Sequence, residues 1–207
     1  MQTPQWIQWA RRIQALAQSG LTYARDEYDC ERYAELRDIA AEMMAAGGNG
    51  DVMAVQQLFA AQHGYATPKV GVRAVVIDAA QRLLLVREKA DGRWAPPGGW
   101  ADVGDTPAQV AVREVHEESG YAVRVTRLIA VLDRDKQGHT PIPWHVYNMY
   151  FLCELVGGVA TTSHETADVG WFARDAMPEL SYDRMQPHLV ALFYAYHADD
   201  TLPVAFD

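Results

Sequence analysis

The chain has 207 residues, 49% of them hydrophobic, which is enough to bury a sizeable core in one or two domains and excludes a disordered or fibrous protein. A formal net charge of −9 argues against a general basic surface for nucleic acid, while leaving room for a small anionic substrate if a metal supplies positive charge. Cys30 and Cys153 lack the short spacing of a zinc site or redox pair and read as reduced thiols, and no apolar run approaches the ~18 residues of a membrane helix, so the expectation is a cytoplasmic protein.

Residues 4–19 place Ile7, Ala10, Ile13 and Leu16 or Ala17 at helical spacing, with Gly20 read as a stop. In residues 29–46 the set Tyr33, Leu36, Ala40 and Met43 predicts a second helix, with Asp29 as its cap and Gly47-Gly48 closing it. A third, shorter helix is expected from Asp51, carrying Val55, Leu58 and Phe59 inward, and Gly64 to Lys69 reads as a linker. This segment has five basic and eight acidic side chains through residue 64, the wrong sign for a DNA-reading helix pair.

From residue 70 the period changes. VGVRAVVID and RLLLVRE are β-rich runs separated by Ala79 to Gln81, which suggests a hairpin. Strands are further expected over Val123 to Leu132, His145 to Val156 and near Val169 to Phe172, with helices over 106–119 and roughly 184–197. The fold class is therefore α/β or α+β, with a small all-helical domain at 1–64 and a sheet-containing domain at 65–207.

The helix at 106–119 carries the chemistry. Thr106, Pro107 and Gln109 specify its start as a capping box. At about 100° per residue, Glu114, Glu117 and Glu118 share one side, while Ala108, Val112, Val115 and Ser119 form another that can pack on a sheet. Arg113 is the one nearby cation on the helix, and its position directs it to one side. Carboxylates about 4 Å apart repel by roughly 4 kcal/mol per pair at an effective dielectric near 20. A divalent ion relieves that repulsion, Mg²⁺ preferring a few carboxylates with water and phosphate oxygens. The preceding Trp94-Ala95-Pro96-Pro97-Gly98-Gly99 is a rigid turn whose glycines let backbone approach a ligand.

Gly99, Asp105 and the run Arg113-Glu114-Val115-His116-Glu117-Glu118-Ser119-Gly120-Tyr121 resemble, at their spacing over 23 residues, the Nudix box of the Nudix hydrolases. One position departs, Asp105 standing where the family pattern has glutamate. WIQWARRIQALAQSGLTY, YDCERYAELRDIAAEMM and GYATPKVGVRAVV are similar to the N-terminal extension of a subgroup that hydrolyses nucleoside diphosphates linked to another moiety, such as ADP-ribose and CDP-choline. The resemblance implies an α/β/α sandwich with a mixed sheet, and a homodimer in which the extension helps to form the dimer and the substrate pocket.

It also implies roles. The Gly98 carbonyl and the carboxylates of Glu114, Glu117 and Glu118 would bind Mg²⁺ or Mn²⁺, with Arg113 orienting a glutamate. The metal would offset charge on the pyrophosphate and help generate hydroxide for attack on phosphorus. Glu165, in a polar loop, is the candidate general base, ahead of His164. Trp6, Tyr28 and Trp100, among a set that also includes Trp9, Tyr23 and Trp144, are candidates to stack on a nucleobase, and Arg73 and His145 to contact the diphosphate or second moiety. ADP-ribose is the first-choice substrate, then CDP-choline or a UDP-linked compound. The alternatives are a nucleoside triphosphate or RNA 5′ pyrophosphohydrolase, and a Nudix module that senses nucleotide without cutting it.

Overall fold

The computed structural model describes residues 3–48 and 50–207, which divide into two compact units. One comprises the described residues up to Pro68 together with Pro141–His145; the other comprises Lys69–Thr140 and Val146–Asp207.

The first unit is helical: α1 (Gln5–Tyr23), α2 (Glu27–Gly48) and α3 (Val52–Ala60). Ile7 and Ala10 of α1, Ala40, Ala41 and Met44 of α2 and Phe59 of α3 form its core, and the Trp144 ring packs 5.9 Å from that of Phe59. Gly20 does not stop α1, which runs on to Tyr23. The Tyr33 ring of α2 lies so close to Gly20 that a Cβ there would collide with it, so the glycine serves helix packing. The cap of α2 is Asp26 rather than Asp29: its carboxylate accepts the N–H groups of Tyr28 at 2.8 Å and Asp29 at 3.3 Å. Asp51 caps α3 by accepting from the Met53 N–H at 2.9 Å. Phe59 is the buried anchor of α3, whereas Leu58 faces outward.

The second unit runs β1 (Lys69–Val76), β2 (Arg82–Glu88), β3 (Trp94–Ala95), α4 (Pro107–Ser119), β4 (Tyr121–Asp133), β5 (Val146–Gly158), β6 (Thr166–Ala173), α5 (Pro187–Ala198) and β7 (Ala205–Phe206). A mixed sheet has the order β1-β5-β4-β7, with β1 parallel to β5 and β4 antiparallel to it; an antiparallel sheet has the order β3-β2-β6. The expected hairpin of β1 and β2 does not form. The turn is present, with the Asp78 N–H donating to the Arg82 carbonyl at 2.9 Å, but beyond the single bridge Ile77–Leu83 the two strands join different sheets. Both strands bury both faces, and a continuous apolar run does not say which neighbour a strand takes.

Two cores lie on opposite faces of these strands, as in an α/β/α sandwich. Leu83, Leu85, Ile129 and Tyr150 pack with Leu189, Val190 and Phe193 of α5. Val72, Ala74, Val76, Leu84, Phe151 and the buried Cys153 pack with Val110, Ala111 and Val115 of α4. Among the described residues no helix is long and apolar enough to cross a membrane.

Candidate active site

The segment after β3 is laid along β1. The N–H groups of Ala74 and Val72 donate to the carbonyls of Pro97 and Gly99 at 2.9 and 2.8 Å, and the Ala101 N–H donates to Val70 at 3.0 Å. Gly98, at φ +154°, takes a backbone conformation that side chains rarely adopt, and a Cβ there would strike the Val72 carbonyl. A Cβ on Gly99 would lie 2.6 Å from Glu114 Oε1. Two glycines thus let the segment fit between β1 and the glutamates of α4.

The capping box forms as expected, Thr106 Oγ1 accepting from the Gln109 N–H and Gln109 Oε1 from the Thr106 N–H. Core and carboxylate are not, however, on separate sides of α4. Its buried residues are Val110, Ala111, Glu114, Val115, Glu118 and Ser119, while Val112 is exposed. Glu114 and Glu118 therefore lie at the edge of the buried face, 8% and 4% exposed, and Glu117 stands outside it. Helical spacing alone does not reveal this, because the segment at 96–101 covers the two glutamates from the side.

Burial pushes the Glu118 carboxyl up to about 8, against the lowering effects of the Arg73 charge and of the Gly98 N–H, which donates to Glu118 Oε2 at 3.0 Å. Glu114 is likewise raised by burial. The Arg73 guanidinium donates to the carbonyls of Gly98 at 2.7 Å and Pro96 at 3.2 Å, fixing the turn from behind. Arg113 does not point away from the carboxylates. Its guanidinium is long enough to lie 3.0 Å from Glu114, 3.1 Å from Glu117, 3.1 Å from Asp102 and 3.3 Å from Asp105. The shorter acid at position 105 still reaches its partner.

Glu114, Glu117, Glu118, Arg113, Asp102, Gly99 and Trp100 line a cleft of about 260 Å³, closed on another side by Ser163, His164 and Glu165. Glu165 is exposed, with His164 Nε2 3.1 Å from its Oε1. Trp6, Tyr28 and His145 belong to the helical unit; there Trp6 abuts Gly47, and Tyr28 is exposed in the first turn of α2. Asp102 and Ser163 were not legible as lining residues, since an acid in a glycine turn and a serine in a polar loop carry no spacing signal. Neither was buried Glu88, paired with Arg184 at 2.9 Å, whose charge adds to the rise of Glu118.

The donor set fits a divalent cation. It consists of hard carboxylate oxygens with one carbonyl, and Glu118 is a buried carboxylate whose burial outweighs the positive charge around it. Such oxygens suit Mg²⁺ or Mn²⁺ rather than a thiolate-loving metal.

Comparison with known proteins agrees. The family model "NUDIX domain" matches residues 67–193, and "UDP-X-like, N-terminal oligomerisation domain" matches residues 4–59. A Bacillus subtilis (strain 168) protein, YjhB, whose name proposes an ADP-ribose pyrophosphatase, is 40% identical over 98% of this chain and 97% of its own. Among solved structures, a UDP-X diphosphatase is 30% identical with a TM-score of 0.64, over 100% of both chains. An ADP-ribose pyrophosphatase from Streptococcus suis 89-1591 is 34% identical with a TM-score of 0.63, over 68% of this chain and 100% of its own.

Proposed function

The chain belongs to the Nudix hydrolases, and from that premise we propose that it cleaves a nucleoside diphosphate linked to a second moiety, with ADP-ribose the first choice and UDP-linked compounds or CDP-choline next. The observation that carries this reading is the cleft in which Glu114, Glu117 and Glu118 share a wall with Arg113 while Glu165 and Trp100 complete the lining. The names of the full-length relatives support the substrate class.

The carbonyl of Gly98 and the carboxylates of Glu114, Glu117 and Glu118 would hold Mg²⁺ or Mn²⁺. When bound, the metal supplies charge neutralisation on the diphosphate oxygens and acidifies water. Arg113 holds Glu114 and Glu117 in place and offsets part of their mutual repulsion. Arg73 braces the Gly98 turn. Glu165 takes the proton of the attacking water as its oxygen bonds to phosphorus. The bridging P–O bond then breaks, giving a nucleoside monophosphate and a phosphorylated second moiety. Trp100, half exposed in a charged cleft, offers an aromatic face to the base.

A panel of ADP-ribose, CDP-choline, UDP-sugars, dinucleoside polyphosphates and a triphosphate, incubated with Mg²⁺ or Mn²⁺, tests the reading. Monophosphate released from a diphosphate-linked compound is the expected result. Inorganic pyrophosphate from the triphosphate alone would transfer the chain to the triphosphate class. Nucleotide binding without turnover under either metal would make it a sensing module.

A further inference from the structure

The turn that carries Glu165 is gripped by a residue that is not among those lining the cleft. Lys89, just past the end of β2, donates its backbone N–H to the Glu165 carbonyl at 2.9 Å. Its ammonium donates to the carbonyls of Ser163 at 2.8 Å and His164 at 3.3 Å. Three successive carbonyls therefore converge on one residue. Carbonyl dipoles gathered in this way repel one another, and an ammonium, with three donors and a positive charge, offsets that repulsion.

The turn is pinned independently on its other side. Ser163 Oγ accepts from the N–H groups of Glu165 at 3.1 Å and Thr166 at 3.2 Å. Buried Thr166 donates its hydroxyl to the Glu118 carbonyl at 2.8 Å, tying the turn to α4. Thr166 and Ser163 thus fix where the turn meets the glutamate helix, while the two carbonyls that precede Glu165, those of Ser163 and His164, depend on the Lys89 ammonium.

We propose that Lys89 is a positioning residue for Glu165, holding the Ser163–Thr166 turn so that the Glu165 carboxylate stays in the cleft opposite the glutamates of α4. This rests on the reading of Glu165 as the proton acceptor. Lys89 is exposed, so its replacement spares the core.

The test combines turnover of ADP-ribose in Mg²⁺ with amide hydrogen exchange, which needs no substrate. Lys89→Ala is expected to lower kcat about tenfold, a fraction of what a general base contributes, with KM within about twofold. Lys89→Arg, which keeps a charged donor, recovers most of that loss. Exchange at the Glu165 and Thr166 amides speeds up in Lys89→Ala by about tenfold and stays parent-like in Lys89→Arg. In a Glu165→Gln background, Lys89→Ala adds no further loss, because it acts through the missing carboxylate. Slow Glu165→Gln with parent-like kcat and exchange in Lys89→Ala would overturn the role of Lys89 and leave Glu165 standing. Parent-like turnover in Glu165→Gln removes both. A KM effect, or losses that multiply in the double variant, would make Lys89 a substrate contact instead.

Discussion

Glu118 shows the conflict between stability and chemistry in a single side chain. Its carboxyl is raised to about 8 by burial, so the folded state holds a proton that the unfolded state gives up near 4.5. The contribution of Glu118 to stability is therefore present at low pH and is lost as pH rises from about 4.5 to 8, by an amount on the order of 4 kcal/mol in the metal-free protein. Glu118→Gln keeps an oxygen for the Gly98 N–H and removes the charge. It should raise the Tm in EDTA at pH 8 by roughly 5 °C or more while lowering turnover at least about a hundredfold. A lower Tm in the variant would show that the buried charge is better compensated than its surroundings indicate. His139 gives the opposite slope. It is 1% exposed, contacts the Tyr182 carbonyl through Nδ1 at 3.1 Å, and is held down to about 4 by burial. Because the unfolded histidine takes up its proton first, the contribution is complete above about 6.5 and is lost as pH falls toward 4, about 3 kcal/mol in all. Urea unfolding at pH 7 and pH 4 should show a drop larger by that amount in the parent than in His139→Asn, which retains a donor for Tyr182. Equal drops would place the histidine's titration elsewhere.

The functional element is α4 with the Gly98 segment laid against it, and neither half makes a site alone. Gly99 could take a side chain only if the flexible end of Glu114 gave way, since a Cβ there would lie 2.6 Å from Glu114 Oε1. Its φ lies outside the range that favours glycine, so Gly99→Ala should fold normally and displace only the carboxylate. We expect a Mg²⁺ half-saturation raised roughly tenfold, the scale seen when support for a metal ligand is lost, with Tm within a few degrees. A Mg²⁺ titration that overlays the parent's would separate Glu114 from the metal. The start of α4 was legible in Thr106, Pro107 and Gln109 because caps are local chemistry. The three glutamates were legible as a group because helical spacing is regular. Their burial was not, since it comes from a segment that crosses from β3 to lie along β1, a non-local fact. The β1–β2 connection failed for the same reason: a turn fixes where the chain reverses, and the partners of two fully buried strands are chosen by the rest of the sheet. Gly20 is the converse case, a glycine whose meaning depends on Tyr33 rather than on its own helix.

At the scale of the whole molecule, the helical unit leaves an apolar stripe uncovered. Trp9, Leu16 and Tyr23 recur every seven residues along α1, which returns them to nearly the same side, and they are 51%, 66% and 67% exposed. Their positions opposite Ile7, Ala10 and Ala17, which are buried, make α1 apolar on two faces, one satisfied within the unit and one not. Single exposed apolar residues need no explanation, but a repeated stripe on one helix is the pattern of a helix that packs against a second chain. The match of residues 4–59 to an oligomerisation domain supports the same reading, and the homodimer that the resemblance implies would then place α1 at its interface. Light scattering should give the parent a mass of twice 23.1 kDa, and Trp9→Glu with Leu16→Glu should return the mass of one chain. Because both side chains are outside the core, the variant should keep its helical content. Turnover measured on that monomer then separates two contributions of the extension. Parent-like kcat and KM would mean that each chain's cleft works alone; a raised KM with kcat retained would mean that the second copy helps to bind the substrate without touching the bond that breaks.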